Sequence, residues 1–256
     1  MAFLTVNQLY QKLNETIPPS LSCEWDNDGL MCCPNGEREV RRILLTLDVT
    51  AAAVARATEG GYDLILSHHP LIFKGLRALN DGNAVAAKAM TLVREGISVF
   101  SFHTRLDAVE GGVNDVLADL LGLENTVSFG EEGIGRIGTL AEPMAAEDFA
   151  RLVKERLCAP FVLLADGGVP SHRVAVLGGN GSDDLAAAIA AGADTFVSGE
   201  LKYHSLVDAP EERINLIEAG HFFTENPILP TLKQQLLALD PTLTCDLFYS
   251  NETKVV

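Results

Sequence analysis

The sequence predicts an α/β fold of two pseudo-repeated β-α-β halves, with largely parallel sheets and a metal site at the C-terminal ends of the strands. Three observations lead there. Short apolar runs alternate with helix-compatible segments along the chain, the pattern of a parallel sheet with helices on its faces. Two pairs of stretches align, "GGYDLILSHH" with "AGADTFVSGE" and "EGISVFSFHTRLD" with "ERINLIEAGHFFTE", so one plan is used twice. A His-x-x-x-carboxylate pattern, His103 to Asp107 and His221 to Glu225, follows an apolar run in each copy.

Taken in order, Leu9, Leu13 and Ile17 recur at four-residue spacing and predict an amphipathic first helix, closed by Pro18-Pro19. Arg42–Asp48 is a near-continuous apolar run, as expected of a strand buried on both faces. Ala51–Glu59 is a helix stopped by Gly60-Gly61, and Asp63–Ser67 is the next strand. Asn83–Glu95 is a helix, Ile97–Phe102 a strand and Gly112–Leu121 a helix. Arg136–Ala141 and Phe161–Leu164 read as strands around the helix Ala145–Leu157. The second copy of the plan gives strands at Arg173–Leu177, Thr195–Ser198 and Ile214–Ala219. Its helices are expected at Asp183–Ala191, at Tyr203–Asp208 and from His221 towards Leu239. No Pro- or Ser-rich linker intervenes, so residues 1–130 and 131–256 are expected as interlocked halves of one unit.

The chain has 256 residues, enough for a sizeable core, and its 47% hydrophobic and 21% charged content are those of an ordinary globular protein. A net charge of −16 without a basic run argues against nucleic acid as a partner. No stretch approaches the roughly 20 apolar residues that span a bilayer, and no basic-then-apolar leader is evident. A cytoplasmic protein with no membrane partner is expected. The five cysteines, Cys23, Cys32, Cys33, Cys158 and Cys245, lack Cys-x-x-Cys spacing and read as reduced thiols.

In open α/β sheets ligands bind beyond the carboxyl ends of the strands. His68-His69, Asp107, Glu200 and His221 all fall at or just past such ends. Where His-x-x-x-carboxylate opens a helix, its two side chains lie one turn apart on one face, able to converge on one cation or bracket a pair. His68 and His69, being adjacent, are expected to diverge and to suit two neighbouring ions. Imidazoles and carboxylates without thiolate fit zinc, manganese, iron or nickel. A pair of such ions can activate water and stabilise a leaving oxygen.

Each of these residues also has a plainer reading. A single histidine of this kind is more often a loop or core residue than a ligand. It is the gathering of candidates at strand ends, with a repeated spacing, that reverses the balance. His103 is a candidate for proton transfer or for orienting a ligand through a hydrogen bond. His204 is a second candidate for proton transfer, against ordinary surface packing. His172 precedes a strand and reads as structural. The turn Gly178-Gly179-Asn180-Gly181-Ser182 lacks the lysine of a P-loop and reads as a tight βα turn with Ser182 near the cap.

"SHHP" at Ser67–Pro70, "HTRLDAVEGGVND" at His103–Asp115 and "GHFFTE" at Gly220–Glu225 resemble the dinuclear-metal-centre family known as the GTP cyclohydrolase I type 2 homologues, or Nif-three-like proteins. "WDNDGL" at Trp25–Leu30 and "SGELKYHSLVDA" at Ser198–Ala209 extend the resemblance nearly end to end, and the length is that of the family's short form. The resemblance implies two divalent ions per chain held by His68, His69, Asp107, His221 and Glu225, with Glu225 as the bridge. It implies a homohexameric toroid and a metal-dependent hydrolase acting on a small molecule or nucleotide, with GTP the named candidate. Glu200, Arg105 and Tyr203 are expected to contact substrate. The family often has Asn where Arg105 stands and His where Tyr203 stands, and Cys32-Cys33 departs from its usual continuation. Other readings compatible with the same ligands are a non-catalytic metal scaffold or regulator, and a phosphoesterase.

Overall fold

The structure is a computed structural model and describes residues 3–254. Helix α1 (Val6–Thr16) opens with a capping box, in which the Thr5 hydroxyl accepts from Gln8 N–H and the Gln8 side chain accepts from Thr5 N–H. Strands β1 (Gly29–Cys32) and β2 (Arg42–Thr46), helix α2 (Ala51–Glu59), strand β3 (Leu64–Ser67), helix α3 (Ala84–Glu95) and strand β4 (Ser98–Ser101) come after it. Thr50 and Asn83 cap α2 and α3 through their side-chain oxygens. Next come α4 (Thr104–Ala108), α5 (Val113–Leu120), β5 (Glu124–Phe129), β6 (Gly135–Met144), α6 (Ala146–Arg156), β7 (Leu163–Ala165) and β8 (Ser171–Asn180). The chain continues through α7 (Leu185–Ala190), β9 (Thr195–Glu200), α8 (Tyr203–Glu212), β10 (Asn215–Glu218), α9 (His221–Glu225), α10 (Ile228–Leu239) and β11 (Thr244–Leu247). None of the helices among the described residues is long and apolar enough to cross a membrane.

The chain divides into two compact units, Met1–Leu106 with Leu229–Glu252, and Asp107–Ile228 with Thr253–Val256. The first holds a five-stranded sheet in the order β1-β4-β3-β2-β11, parallel throughout except for antiparallel β1 at its edge. On one face Leu44, Ile65 and Val99 pack with Val54 and Ala57 of α2 and Leu92 of α3. Ile43, Leu45, Leu66 and Phe100 alternate with them and are equally buried. Both faces are therefore covered, as parallel sheets require. The register brings the strand ends into one row, with Thr46, Ser67 and Ser101 side by side at the ends of β2, β3 and β4.

The second unit holds a six-stranded sheet in the order β5-β6-β8-β9-β10-β7. Its centre, β8-β9-β10, is parallel, while β5, β6 and β7 pair antiparallel. Side chains alternate with period two. Val174, Val176, Val197 and Ile217 face the core containing Leu117 of α5 and Phe149 of α6, while Ala175, Leu177, Phe196 and Leu216 face Ala188 and Ala209.

The repeat seen in the sequence has a physical counterpart at the strand starts. Asp63 accepts from Arg41 N–H at 2.9 Å and Arg42 N–H at 3.0 Å, while Arg42 O accepts from Asp63 N–H. Asp194 does the same with His172 N–H and Arg173 N–H, and Arg173 O accepts from Asp194 N–H. One aspartate thus staples the entry of the neighbouring parallel strand in each sheet.

Two local expectations are corrected. The helix expected from His221 to Leu239 is two helices, because Pro227 has no N–H to continue the ladder. The glycine segment at 178–182 is not a simple turn: β8 runs through Gly178 and Gly179 to Asn180, which pairs with Glu200 after a register shift. Asp184, not Ser182, stands at the N-cap of α7, and the Ser182 hydroxyl donates to Glu200 O instead.

Candidate metal centre

In the first unit the strand ends deliver three imidazoles. His68 N–H donates to Thr46 O, His69 N–H to Leu47 O and Phe102 N–H to Ser67 O, so the sheet register persists past the last paired row. Two residues beyond Thr46, Ser67 and Ser101 stand Asp48, His69 and His103. The rings of His68, His69 and His103 have centroids 4.9–5.7 Å apart. One ligand atom from each lies within 4.8 Å of the others. The expected divergence of His68 from His69 does not occur, because β3 ends at Ser67 and the pair sits in a bend rather than in alternating strand geometry.

Each ring is tethered through Nδ1. His68 Nδ1 lies 2.9 Å from Phe102 O, His69 Nδ1 2.8 Å from Asp48 Oδ1, and His103 Nδ1 2.9 Å from Asp26 Oδ1. A carbonyl oxygen only accepts, so His68 carries its proton on Nδ1 and presents the Nε2 lone pair as the ligating position. The carboxylates favour the same tautomer in His69 and His103. Ligand histidines in metal sites are usually held this way. The holders are themselves held: Ser250 donates to Asp48 Oδ2, and Thr104 donates to Asp26 Oδ2 through both its hydroxyl (2.7 Å) and its N–H (3.1 Å). Burial alone would raise the Asp26 carboxyl, but the hydrogen bonds from His103 and Thr104 outweigh it and hold the group well below the usual carboxylate range.

The second unit begins at Asp107, which is buried at the end of α4 with its carbonyl accepting from the Asn114 side chain. The α9 helix places His221 and Glu225 one turn apart, with His221 Nε2 3.2 Å from Glu225 Oε1. His221 Nδ1 lies 2.8 Å from Glu200 Oε1. The carboxylate is cradled by glycines. Gly179 has φ 69°, and a Cβ there would collide with Glu225 Oε1 and sit 3.2 Å from His221 Nε2. A Cβ on Gly199 would strike the α9 backbone at His221 Cα, 2.7 Å away. Only glycine lets β8 and β9 approach α9 this closely.

The donor chemistry fits a divalent transition metal or zinc: imidazoles held through Nδ1, buried carboxylates and no thiolate. His103, placed by sequence as a proton carrier or ligand holder, stands with His68 and His69 as a third imidazole. Glu200, assigned to substrate, has its carboxylate on the His221 ring. Arg105 is a correction. It is buried, pairs with Asp28 at 3.0 Å, donates to Asn14 Oδ1 and lies over the Phe102 ring. A guanidinium so committed braces α1 against the β4–α4 turn and does not face a substrate. Gly29, at φ 108°, makes room for it, since a Cβ there would meet the Arg105 guanidinium at 2.7 Å. Tyr203 and His204 stand exposed on α8. Reading motifs for ligands alone passes over Asp26 and Asp48, although Asp26 lies in "WDNDGL" and Asp48 ends an apolar run.

These features define an α/β protein with histidine and carboxylate groups suited to metal at the ends of parallel strands. The model of the Duf34/NIF3 (NGG1p interacting factor 3) family matches residues 4–254, and the chain belongs to that family. A Clostridium perfringens protein called "GTP cyclohydrolase 1 type 2 homolog" is 30% identical, covering 91% of each chain. A Nostoc protein of the same name is 34% identical over 85% of this chain and 84% of its own length. A Staphylococcus aureus hypothetical protein of known crystal structure superimposes with a TM-score of 0.88 at 27% identity, covering 99% of this chain and all of the other.

Proposed function

We propose that the chain is a divalent-metal-dependent hydrolase acting on GTP or another nucleotide. Two ions per chain, drawn from zinc, manganese, iron or nickel, are held by His68, His69, Asp107, His221 and Glu225. In this reading the protein works as a cytoplasmic homohexamer. The observation that carries the metal reading is the tethering of three clustered imidazoles by fixed oxygens at Nδ1. The names of the relatives supply the nucleotide.

Bound metal would supply Lewis acidity towards the substrate and make water nucleophilic near neutral pH. The chain's own residues do the rest. Phe102 O, Asp48 and Asp26 fix the tautomers of His68, His69 and His103. Glu200 orients His221 through Nδ1. In this reading His103, whose Nδ1 bonds Asp26, holds and passes a proton at Nε2.

The test is mass-spectrometric product analysis after incubating metal-reconstituted protein with GTP, with the His68→Ala/Glu225→Ala double variant as blank and metal content measured in both. A ring-opened or pterin product confined to the intact protein is expected. Absence of product from metal-loaded protein would overturn GTP as substrate, and absence of metal from the intact protein would overturn the centre itself.

A further inference from the structure

Two of the large exposed hydrophobic side chains stand directly against the imidazole cluster. Trp25 is 58% and Phe73 46% exposed, although both are aromatic residues that would ordinarily be covered. Their rings lie 6.3 Å apart in an edge-to-face arrangement, and each lies 6.2 Å from the ring of His103, again edge-on. The two loops that carry them are tied together, because the Asn27 side chain donates to Ile72 O. The aromatic pair is therefore a fixed feature of the first unit, built beside the residues proposed to bind metal.

Charge differs between the two segments that carry the pair: Glu24 and Asp26 flank Trp25. The chain has 35 acidic and 19 basic residues, yet Leu71–Asn80, the stretch containing Phe73, has no acidic residue. It carries Lys74 and Arg77, both exposed. An aromatic pair with two exposed cations on the segment that carries Phe73 suits a flat ring bearing negative charge.

We infer that Trp25 and Phe73 form the stacking surface for a planar heteroaromatic ring, with Lys74 and Arg77 receiving an anionic group, phosphate above all, attached to it. The inference deepens the proposed function and rests on it for the position of the reacting atoms, since stacking there sets the ring beside His103. Discrimination comes from the ring and its charge together. A sugar phosphate offers no π-face, and an uncharged nucleoside forgoes the two cations.

Trp25 is the only tryptophan of the chain, so its fluorescence reports on this surface alone. The experiment titrates the metal-loaded full-length protein with GTP, guanosine and ribose 5-phosphate, with metal content measured in the same sample. Saturable quenching by GTP is expected, with weaker binding of guanosine and no effect of ribose 5-phosphate. Phe73→Ala should raise the GTP dissociation constant about five- to hundredfold, the range seen when one stacking ring is removed. Lys74→Ala/Arg77→Ala should weaken GTP but leave guanosine unchanged. Both variants alter exposed positions, and an unchanged melting temperature will show that they fold. Unaltered fluorescence with every ring compound in metal-loaded protein would overturn the inference. So would quenching on raising protein concentration without ligand, which would mean that a second copy of the chain covers the rings. Neither result touches the metal reading, which fails separately if the protein holds no metal.

Discussion

Replacing Gly179 with alanine separates the site's requirements from those of the fold. Gly179 sits at φ 69°, and a Cβ there would overlap Glu225 Oε1 and approach His221 Nε2 to 3.2 Å. Gly168, in the same unit at φ 70°, has nothing within 4 Å of the same added atom. Both substitutions force an L-residue into the left-handed region, at about 1–2 kcal/mol. Only Gly179→Ala must also displace a carboxylate. Without metal, Glu225 can move its flexible end aside, so the two variants should melt at similar temperatures in chelator. With metal, a ligating carboxylate has no such freedom. Gly179→Ala should then lose a further ~1.4–2.7 kcal/mol of metal-dependent stabilisation, a 10- to 100-fold drop in affinity, while Gly168→Ala keeps its full increment. Thermal melts with and without chelator, together with metal competition against a chromophoric chelator, measure both quantities. Equal metal affinity in the two variants would refute the placement of Glu225 as a ligand held against β8.

Arg105→Met should destabilise the protein by about 3–5 kcal/mol in urea denaturation, because Asp28 is left buried without its guanidinium. A stable variant with altered nucleotide binding alone would restore Arg105 to the substrate. Burial pushes the thiols of Cys32 and Cys245 up to about 11, so at pH 8 only about a thousandth of either is thiolate. Iodoacetamide mapping should therefore find Cys33 and Cys158, which are exposed, labelled in native protein, with Cys32 and Cys245 labelled only after unfolding. Asp26→Asn should cost about 1.5–3 kcal/mol, since it weakens charge-assisted hydrogen bonds from His103 and Thr104. The folded carboxyl titrates below its unfolded value of 3.8. Its contribution is thus complete above that pH and fades as pH falls further. The gap between wild type and Asp26→Asn in denaturation midpoint should close as the pH falls below 3.8. A gap that persisted undiminished in strong acid would contradict this assignment.

Parallel strands buried on both faces announce themselves as apolar runs, which is why β2, β3, β4, β8, β9 and β10 were legible as elements and the imidazoles could be placed at strand ends. The edge strands β1, β5 and β11 were not. The sequence of β5, ENTVSF, is largely exposed and shows no apolar run, and β1, GLMC, is only four residues long with a bulge. Residue type alone could not sort the polar groups of the site either. A carboxylate that binds metal and one that orients a histidine look alike in sequence. What separates Glu225 from Glu200 is where each oxygen points: Glu200 has its Oε1 on His221 Nδ1, and Glu225 has its Oε1 beside Nε2. Arg105 shows the reverse error. Its neighbours in the motif suggest chemistry, but its burial and its bonds to Asp28 and Asn14 show a brace.

The repeat explains why the two units carry related chemistry without carrying the same site. In both sheets an aspartate staple fixes the start of a parallel strand, and in both a row of residues lies in register further along: Thr46, Ser67 and Ser101 at the strand ends in one, Leu177, Ser198 and Glu218 in the other. The segments that leave these rows are therefore delivered to comparable positions, and the residues just beyond them are exchanged without disturbing the core. After β3 the exchanged pair is His68-His69, and after the aligned segment of β9 it is Gly199-Glu200. Two imidazoles make a donor set; a glycine and a carboxylate make room for α9 and hold its histidine. The register that places these side chains is set several residues earlier, so the two units can differ at these few positions while keeping the same strand plan.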